Sequence, residues 1–287
     1  MESIITYLGN HDAETLKLAH QAFECFLPYR KSDGQAYAAA SRIVPKLCED
    51  EVVDLLRNII SHMAHYNTDH ESVFSARQNA TIAVNAEKYY RAMVRGGSQS
   101  WNIRDRHMQD TLDNLLDFHG PSAKAIVWAH NTHIGDARAT DMRANGMVNI
   151  GELARVKYGS ENIALVGFGS YSGTVIAGDT WGAAMQKMQV PEAMTGSWEY
   201  HLHQAGGHNT LLFMDDLKAE PALQRYFGHR AIGVVYHPDR ERFGNFVPSL
   251  IPERYDAFIY LDHTSALYPL HNTIDTGQLP ETYPSGM

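Results

Sequence analysis

The stretch IVWAHNTHIGDAR, residues 126–138, marks the point where the chain changes from a helical to a strand-like pattern. An apolar run, residues 125–128, stops abruptly there and is followed by His130 and His133. The run predicts a buried strand whose carboxyl end carries both histidines. Open α/β sheets place their ligand crevices at such ends, so we expect the functional site here.

Four more short apolar runs, each bounded by turn residues, follow this one. They predict further buried strands of a largely parallel sheet that is covered by helices on both faces. The runs are residues 163–166, 211–214, 231–235 and 257–261. Between the first two predicted strands, Asn149 and Glu152 form the capping pattern that begins a helix near Ile150.

The first half of the chain is helical in pattern. Val52, Leu55, Ile59 and Met63 repeat along one helix face, and residues 75–93 and 108–116 predict two more helices. The fold class expected is therefore α/β, a largely parallel sheet flanked by helices with a helical subregion in the N-terminal half. No linker separates the halves, so we expect one domain over residues 1–270 and a loose tail at 271–287.

Composition excludes several functions. The 287 residues are 44% hydrophobic, enough for a sizeable core, and carry a formal charge of −9 without a basic block, which argues against nucleic-acid binding. A membrane partner is not expected, because no run approaches the roughly 20 apolar residues of a bilayer span. The first ten residues lack the features of a signal peptide, which favours a cytoplasmic location. The sequence leaves the oligomeric state open.

The two cysteines, Cys25 and Cys48, fall in two different predicted helices. Two cysteines form no disulfide framework, and the pair does not have the spacing of a metal-binding motif. We therefore expect both to be small buried hydrophobic residues.

His130 and His133 are the main catalytic candidates. Histidine suits proton transfer near neutral pH, and the nearby carboxylate of Asp136 could orient a ring. Two alternatives remain at this point: the histidines lie on a surface loop without a function, or they supply two ligands of a zinc site that still needs a third.

The segment GFGSYSG, residues 167–173, resembles two known motifs and fits neither. A nucleophile elbow needs serine in the middle of its pentapeptide, where this chain has Tyr171, and the third glycine is one place late for a dinucleotide fingerprint. We expect the small residues to let the backbone turn sharply beside the crevice. Ser170 and Tyr171 would then offer hydroxyl groups to a substrate.

Arg104 is a further candidate for substrate binding. It lies in the first turn of a predicted helix, where a positive charge opposes the helix dipole and so calls for a partner. A salt bridge at the helix start and a contact with substrate are both compatible with this position.

Four segments together closely resemble the erythromycin esterase-like family. They are ESVFSARQNATIAVNAEKYYRAM (71–93), SWNIRDRHMQDTL (100–112), KAIVWAHNTHIGDARATDM (124–142) and GFGSYSGTVIA (167–177). The likeness runs in the same order over residues 11–271. It implies a metal-independent hydrolase without a cofactor that opens the lactone of macrolide antibiotics or a related carboxylic ester, and so confers resistance.

The resemblance also assigns roles within the site. His130 and His133 match the His-Asn-x-His pair of the family, which would position the substrate or the water and stabilise an oxyanion. The family's water-activating glutamate and histidine lie in a Gly-Glu-x-x-His-Gly segment that these 287 residues do not contain. We expect that segment to lie before residue 1. The alternative is an inactive remnant or a ligand-binding protein that lacks the general base.

Overall fold

The computed structural model describes residues 1–32, 35–44, 46–66, 69–180 and 183–268. Contacts between residues divide the chain into two compact units, Met1–Ala125 and Ile126–Met287. The single domain expected over residues 1–270 stays a prediction. The tail expected at 271–287 lies outside the described residues.

The first unit is helical, as its pattern predicts. The described helices are α1 (Glu2–His11), α2 (Ala13–Phe26), α3 (Gln35–Ala40), α4 (Glu49–His62), α5 (His70–Met93) and α6 (Gln99–His119). Leu55 and Ile59 of α4 pack into a core with Ile4, Leu8 and Val84, which confirms the apolar face expected for α4. Gly120 ends α6 with a φ of +89°, a backbone conformation that favours glycine.

Cys25 and Cys48 form a disulfide bond, so the expectation of two separate thiols is wrong. The Cα atoms lie 5.8 Å apart because α2 packs against α4, a tertiary contact that sequence spacing does not reveal. Disulfides persist mainly in oxidising compartments, so this bond counts against the predicted cytoplasmic location, which stays a prediction. Within the described residues, no helix has both the length and the apolar character needed to cross a membrane.

The second unit has the expected α/β class, built around a small mixed sheet. Its strands are β1 (Val166–Ala177), β2 (Gln186–Val190), β3 (Thr210–Phe213), β4 (Phe227–Arg230), β5 (Phe246–Ser249) and β6 (Ala257–Thr264), and its helices are α7 (Asn131–Ile134), α8 (Ile150–Tyr158), α9 (Trp198–Gly206), α10 (Met214–Lys218) and α11 (Ile251–Arg254). The order β2-β1-β6-β3 forms one sheet, and β4 and β5 form another. Among the strands that the structure describes, β1 and β6 are the only parallel pair, where the sequence predicts a largely parallel sheet.

Two predicted strands are absent from the described structure. Residues 125–128 form no strand, and Ile126 and Trp128 are 95% and 86% exposed. Residues 231–235 follow β4 and make a single bridge, between Val235 and Gly178. An apolar run becomes a buried strand only beside a partner strand and under a covering layer, and the described part of the chain provides neither at residues 125–128.

The predicted turn at residues 167–173 is also wrong, because β1 runs through it as one continuous strand. Its glycines instead make room for large side chains. A Cβ on Gly167 would lie 2.6 Å from the ring of Tyr255, and one on Gly169 would lie 2.6 Å from the ring of Phe258. These rings therefore pack directly on the backbone of β1.

Helix α9 and the aromatic side chains cover one face of this sheet. Side chains on the opposite face stay exposed in the described structure, although the sequence predicts cover on both faces. They are Val166 and Phe168 of β1 and Leu211 and Phe213 of β3. The covered face, with its buried aromatic rings, is therefore the one on which the candidate site is built.

We expect loss of the disulfide to destabilise the first unit. Because the bond closes a loop between residues 23 apart, Cys25→Ala should lower the free energy of unfolding by about 3 kcal/mol. Denaturant titration measures this change. A reducing agent should destabilise the wild type equally and leave the variant unchanged; equal stability of the reduced and oxidised wild type would contradict the expectation.

Candidate active site

The two predicted catalytic histidines lie in one tight turn. His130 is extended and begins the single-turn helix α7, with its Nδ1 accepting a hydrogen bond from the Thr132 amide at 3.3 Å. The Thr132 hydroxyl also lies 2.9 Å from Nδ1. His130 is exposed and His133 is buried. The residue His130 is thus accessible at the surface although its imidazole is largely surrounded by protein, and His133 is packed inside.

The buried side chain of Asn149 holds this turn in place. Its Nδ2 donates to the carbonyls of Thr132, at 2.8 Å, and Gly135. Its Oδ1 accepts from the amides of Glu152, at 3.0 Å, and Ala137, at 3.3 Å. Asn149 is therefore the N-cap of α8, as predicted, and it also satisfies main-chain groups of the histidine turn.

Asn131, between the two histidines, fastens the turn to the sheet. Its Oδ1 accepts from the amide of Phe168 at 3.1 Å, and its Nδ2 donates to the carbonyl of the same residue at 2.6 Å. The carboxamide thus pairs with β1 as the main chain of a neighbouring strand would. Nδ2 also lies 3.3 Å from Nε2 of His229.

His229 and Glu199 form a completely buried pair beneath the turn. Nδ1 of His229 lies 2.6 Å from Oε1 of Glu199, and Nε2 lies 3.2 Å from the hydroxyl of Tyr255. Burial lowers the pKa of His229, and nearby Arg254 adds to this, against the opposing effect of Glu199. The imidazole is therefore neutral at pH 7. The sequence does not predict this pair, because no local pattern joins residues 30 positions apart.

The guanidinium of Arg254 is fully buried behind the turn. Its Nη2 donates to the main-chain oxygen of Asn131 at 3.0 Å and its Nη1 to the hydroxyl of Ser249 at 2.6 Å. Within the described residues, no carboxylate lies within ion-pair distance of it. A buried charge without a counterion is costly, and its field extends over the surrounding groups.

His130 lies in this positive field. Desolvation is the main cause that lowers its pKa to about 4, and the charge of Arg254 adds a smaller effect in the same direction, against a hydrogen bond to the main chain of Ile232. The imidazole is therefore neutral throughout the physiological pH range. Because Nδ1 accepts from the Thr132 amide, the proton of the neutral ring lies on Nε2.

Asp136 does not orient either imidazole in this structure. Its carboxylate binds Arg138 through Oδ1 at 2.9 Å and Oδ2 at 2.7 Å, and Oδ2 also accepts from Arg155 at 3.2 Å. These side chains line an open cavity of about 330 Å³ to which neither His130 nor His133 contributes. Contact of Asp136 with a substrate stays a prediction.

Ser170 and Tyr171 lie on β1 beyond the segment that Asn131 contacts. The carbonyls of both accept from Nη1 of Arg230 at 2.7 Å. The ring of Tyr171 stacks on the imidazole of His203 at 3.7 Å, and Nδ1 of His203 lies 2.7 Å from Asp262. Tyr171 is thus placed with a different histidine from those of the predicted site.

Arg104 belongs to the first unit, where its guanidinium lies over the ring of Trp101 at 5.9 Å. A role for Arg104 in substrate binding stays a prediction. In the parts of the chain that the structure describes, no group of three or more His, Cys, Asp or Glu side chains is arranged to hold a metal ion.

Comparison with known proteins identifies related sequences and folds. A sequence model described as erythromycin esterase matches residues 1–264. Three solved structures share the fold. A Bacillus cereus protein has a TM-score of 0.73 and 14% identity, over 92% of this chain and 63% of that one, and a succinoglycan biosynthesis protein has a TM-score of 0.71 and 17% identity, over 92% and 61%. A mutant of erythromycin esterase EreC in its open conformation has a TM-score of 0.66 and 11% identity, over 91% of this chain and 64% of that one. The chain spans less than two thirds of the length of each.

Removal of the Asn149 carboxamide should destabilise the second unit. Asn149→Ala removes a helix cap and leaves two buried carbonyls without a donor, so we expect a loss of about 2–4 kcal/mol in denaturant titration. Asn162→Ala is the matched control, because Asn162 is exposed near the other end of α8 and should change stability by less than about 0.5 kcal/mol. Equal effects of the two substitutions would contradict the expectation.

The titration of His130 provides a second test of this geometry. NMR should give it a midpoint near pH 4, well below the ordinary value of a histidine. Since the unfolded chain then binds more protons between about pH 4 and pH 6.5, this group's contribution to stability is lost as the pH falls through that window. A midpoint close to 6.5 would show that the imidazole of His130 is not desolvated as the structure has it.

Proposed function

Because the chain belongs to the erythromycin esterase family, we propose that it takes part in hydrolysis of a carboxylic ester or a macrolide lactone. In this proposal, His130 and His133 bind the carbonyl group that water attacks. The observation that carries it is the buried guanidinium of Arg254, without an ion-pair partner among the described residues, beside a neutral His130.

The electrostatics of the turn suit this reaction. When water attacks an ester carbonyl, negative charge develops on the carbonyl oxygen. Desolvation is the main cause of the low pKa of His130, and the smaller contribution, the positive charge of Arg254, would also stabilise such an oxyanion. A neutral imidazole with its proton on Nε2 is a hydrogen-bond donor to that oxygen. Reorientation of Nε2–H from the carbonyl of Ile232 to the substrate would provide this bond.

Activation of the attacking water needs a base. A pKa near 4 makes His130 a weak one, which favours a role in carbonyl binding. The family resemblance assigns water activation to a Gly-Glu-x-x-His-Gly segment, and the 287 residues do not contain one. The contacts of the described residues support the carbonyl-binding part of the reaction, and the residue that activates water is not assigned.

A second candidate is a protein that binds an ester or a lactone without turning it over. In that case the turn retains its affinity for a carbonyl group while hydrolysis does not exceed that in buffer. Both candidates predict saturable binding that depends on His130, and only the first predicts turnover.

The test is hydrolysis of a panel of nitrophenyl esters and 14-membered macrolides by the purified chain. We expect a rate above that of buffer and a fall in kcat of about 100-fold in His130→Ala, the effect of removing one oxyanion donor. His208→Ala is the matched control, because His208 is an exposed histidine outside the turn and should leave the rate unchanged.

Saturable binding without turnover, measured by calorimetry with the same compounds, would favour the second candidate. Neither binding nor turnover across the panel would overturn both. A rate that is equal in His130→Ala and the wild type would remove His130 from the reaction.

A further inference from the structure

We propose that His229 is a positioning residue of this site. Held in one tautomer by Glu199, it fixes the carboxamide of Asn131 and, through it, the turn that carries His130 and His133. The inference rests on the proposed function only for its effect on catalysis. The positioning itself is a property of the folded chain and is measurable without a substrate.

Donors and acceptors around His229 fit only one tautomer. A carboxylate oxygen accepts hydrogen bonds, so Nδ1 of His229, 2.6 Å from Oε1 of Glu199, carries a proton. Nε2 is then the acceptor for two donors, the Tyr255 hydroxyl at 3.2 Å and Nδ2 of Asn131 at 3.3 Å. The neutral ring therefore joins a buried carboxylate on one side to the histidine turn on the other.

The orientation of Asn131 is not free to adapt to a different tautomer. Its Oδ1 accepts from the amide of Phe168 and its Nδ2 donates to the carbonyl of that residue, so rotation of the carboxamide would break both bonds to β1. A proton on Nε2 of His229 would face a second N–H group on Asn131. The contact is attractive only while Nε2 is unprotonated.

The groups packed around His229 keep it neutral. Glu199 on α9 favours a second proton, whereas complete burial and the charge of Arg254 at the end of α11 oppose it. His130 on the turn is itself neutral at pH 7. The Arg230 amide donates to the same oxygen of Glu199 at 3.0 Å, so this oxygen accepts one hydrogen bond from the main chain and one from Nδ1–H of His229.

Two substitutions separate the positioning role from simple support of Glu199. In His229→Gln, the carboxamide occupies the place of Nε2 and its oxygen still accepts from Asn131. In His229→Asn, the shorter carboxamide occupies the place of Nδ1 and keeps the bond to Glu199 but loses Asn131. The two variants thus each retain one side of the bridge.

Long-range proton–nitrogen NMR on the whole chain gives the readout. In the wild type we expect His229 as the neutral Nδ1–H tautomer. His229→Gln should leave the titration midpoint of His130 close to that of the wild type. His229→Asn should raise it by more than about one pH unit towards its ordinary value, because the turn loosens and His130 becomes more hydrated.

We also expect the two variants to differ in kcat. If the chain hydrolyses esters, His229→Asn should lower kcat by about tenfold to 100-fold with little change in KM, and His229→Gln should lower it less. No turnover in any form, with the NMR pattern intact, would overturn the proposed function and leave the positioning role standing.

Three results would overturn the positioning role. They are an Nε2–H tautomer in the wild type, an equal His130 midpoint in all three forms, and a shift in His229→Gln that His229→Asn does not show. If either variant fails to fold, Asn131→Asp tests the same contact from the other side. It places a carboxylate oxygen against Nε2 and should make His229 doubly protonated at pH 7; a neutral ring there would contradict the inference.

Discussion

Structure at the site depends on one buried amide, the side chain of Asn149. A tight turn that is packed inside a protein must find partners for main-chain groups that regular structure would otherwise pair. The carbonyls of Thr132 and Gly135 find theirs in Nδ2 of Asn149, while its Oδ1 caps α8. Asn149 thereby holds the start of α8 and the histidine turn in a fixed relative position. The hydrogen bonds of Asn131 and Arg254 to this turn can form only once the turn is folded, so they stabilise it further and do not create it.

The distribution of charge gives the turn its chemical character. On one side, Asp136 forms ion pairs with two arginines, which neutralise its negative charge and reduce its effect on the histidines. On the other side, Arg254 has only neutral partners among the described residues. The imbalance leaves a positive potential at His130, which favours a ligand that acquires negative charge and disfavours cations.

The sequence predicts those features that depend on neighbouring residues. The apolar face of α4 and the cap at Asn149 follow local rules, and both are present. The α/β class follows from the change of pattern near residue 126. Features that depend on distant partners are wrong or missed: the strand at residues 125–128 lacks a described neighbour, the disulfide joins two helices, and Glu199 meets His229 across 30 positions. The histidine turn is predicted in part: the sequence identifies its residues, but its orientation depends on distant partners such as Asn149 and Arg254.

Gly167 and Gly169 set how deep the site lies. Their missing side chains let Tyr255 and Phe258 rest against the backbone of β1, and the hydroxyl of Tyr255 meets His229 at that depth. An alanine at either position would push an aromatic ring away from the strand and displace the side chains on which His229 packs. The two glycines contribute no chemical group to the site, but they set how closely the aromatic rings, and with them His229, approach the strand. Substitutions that change the depth of His229 below the turn would therefore start from this strand, before any change to the turn itself.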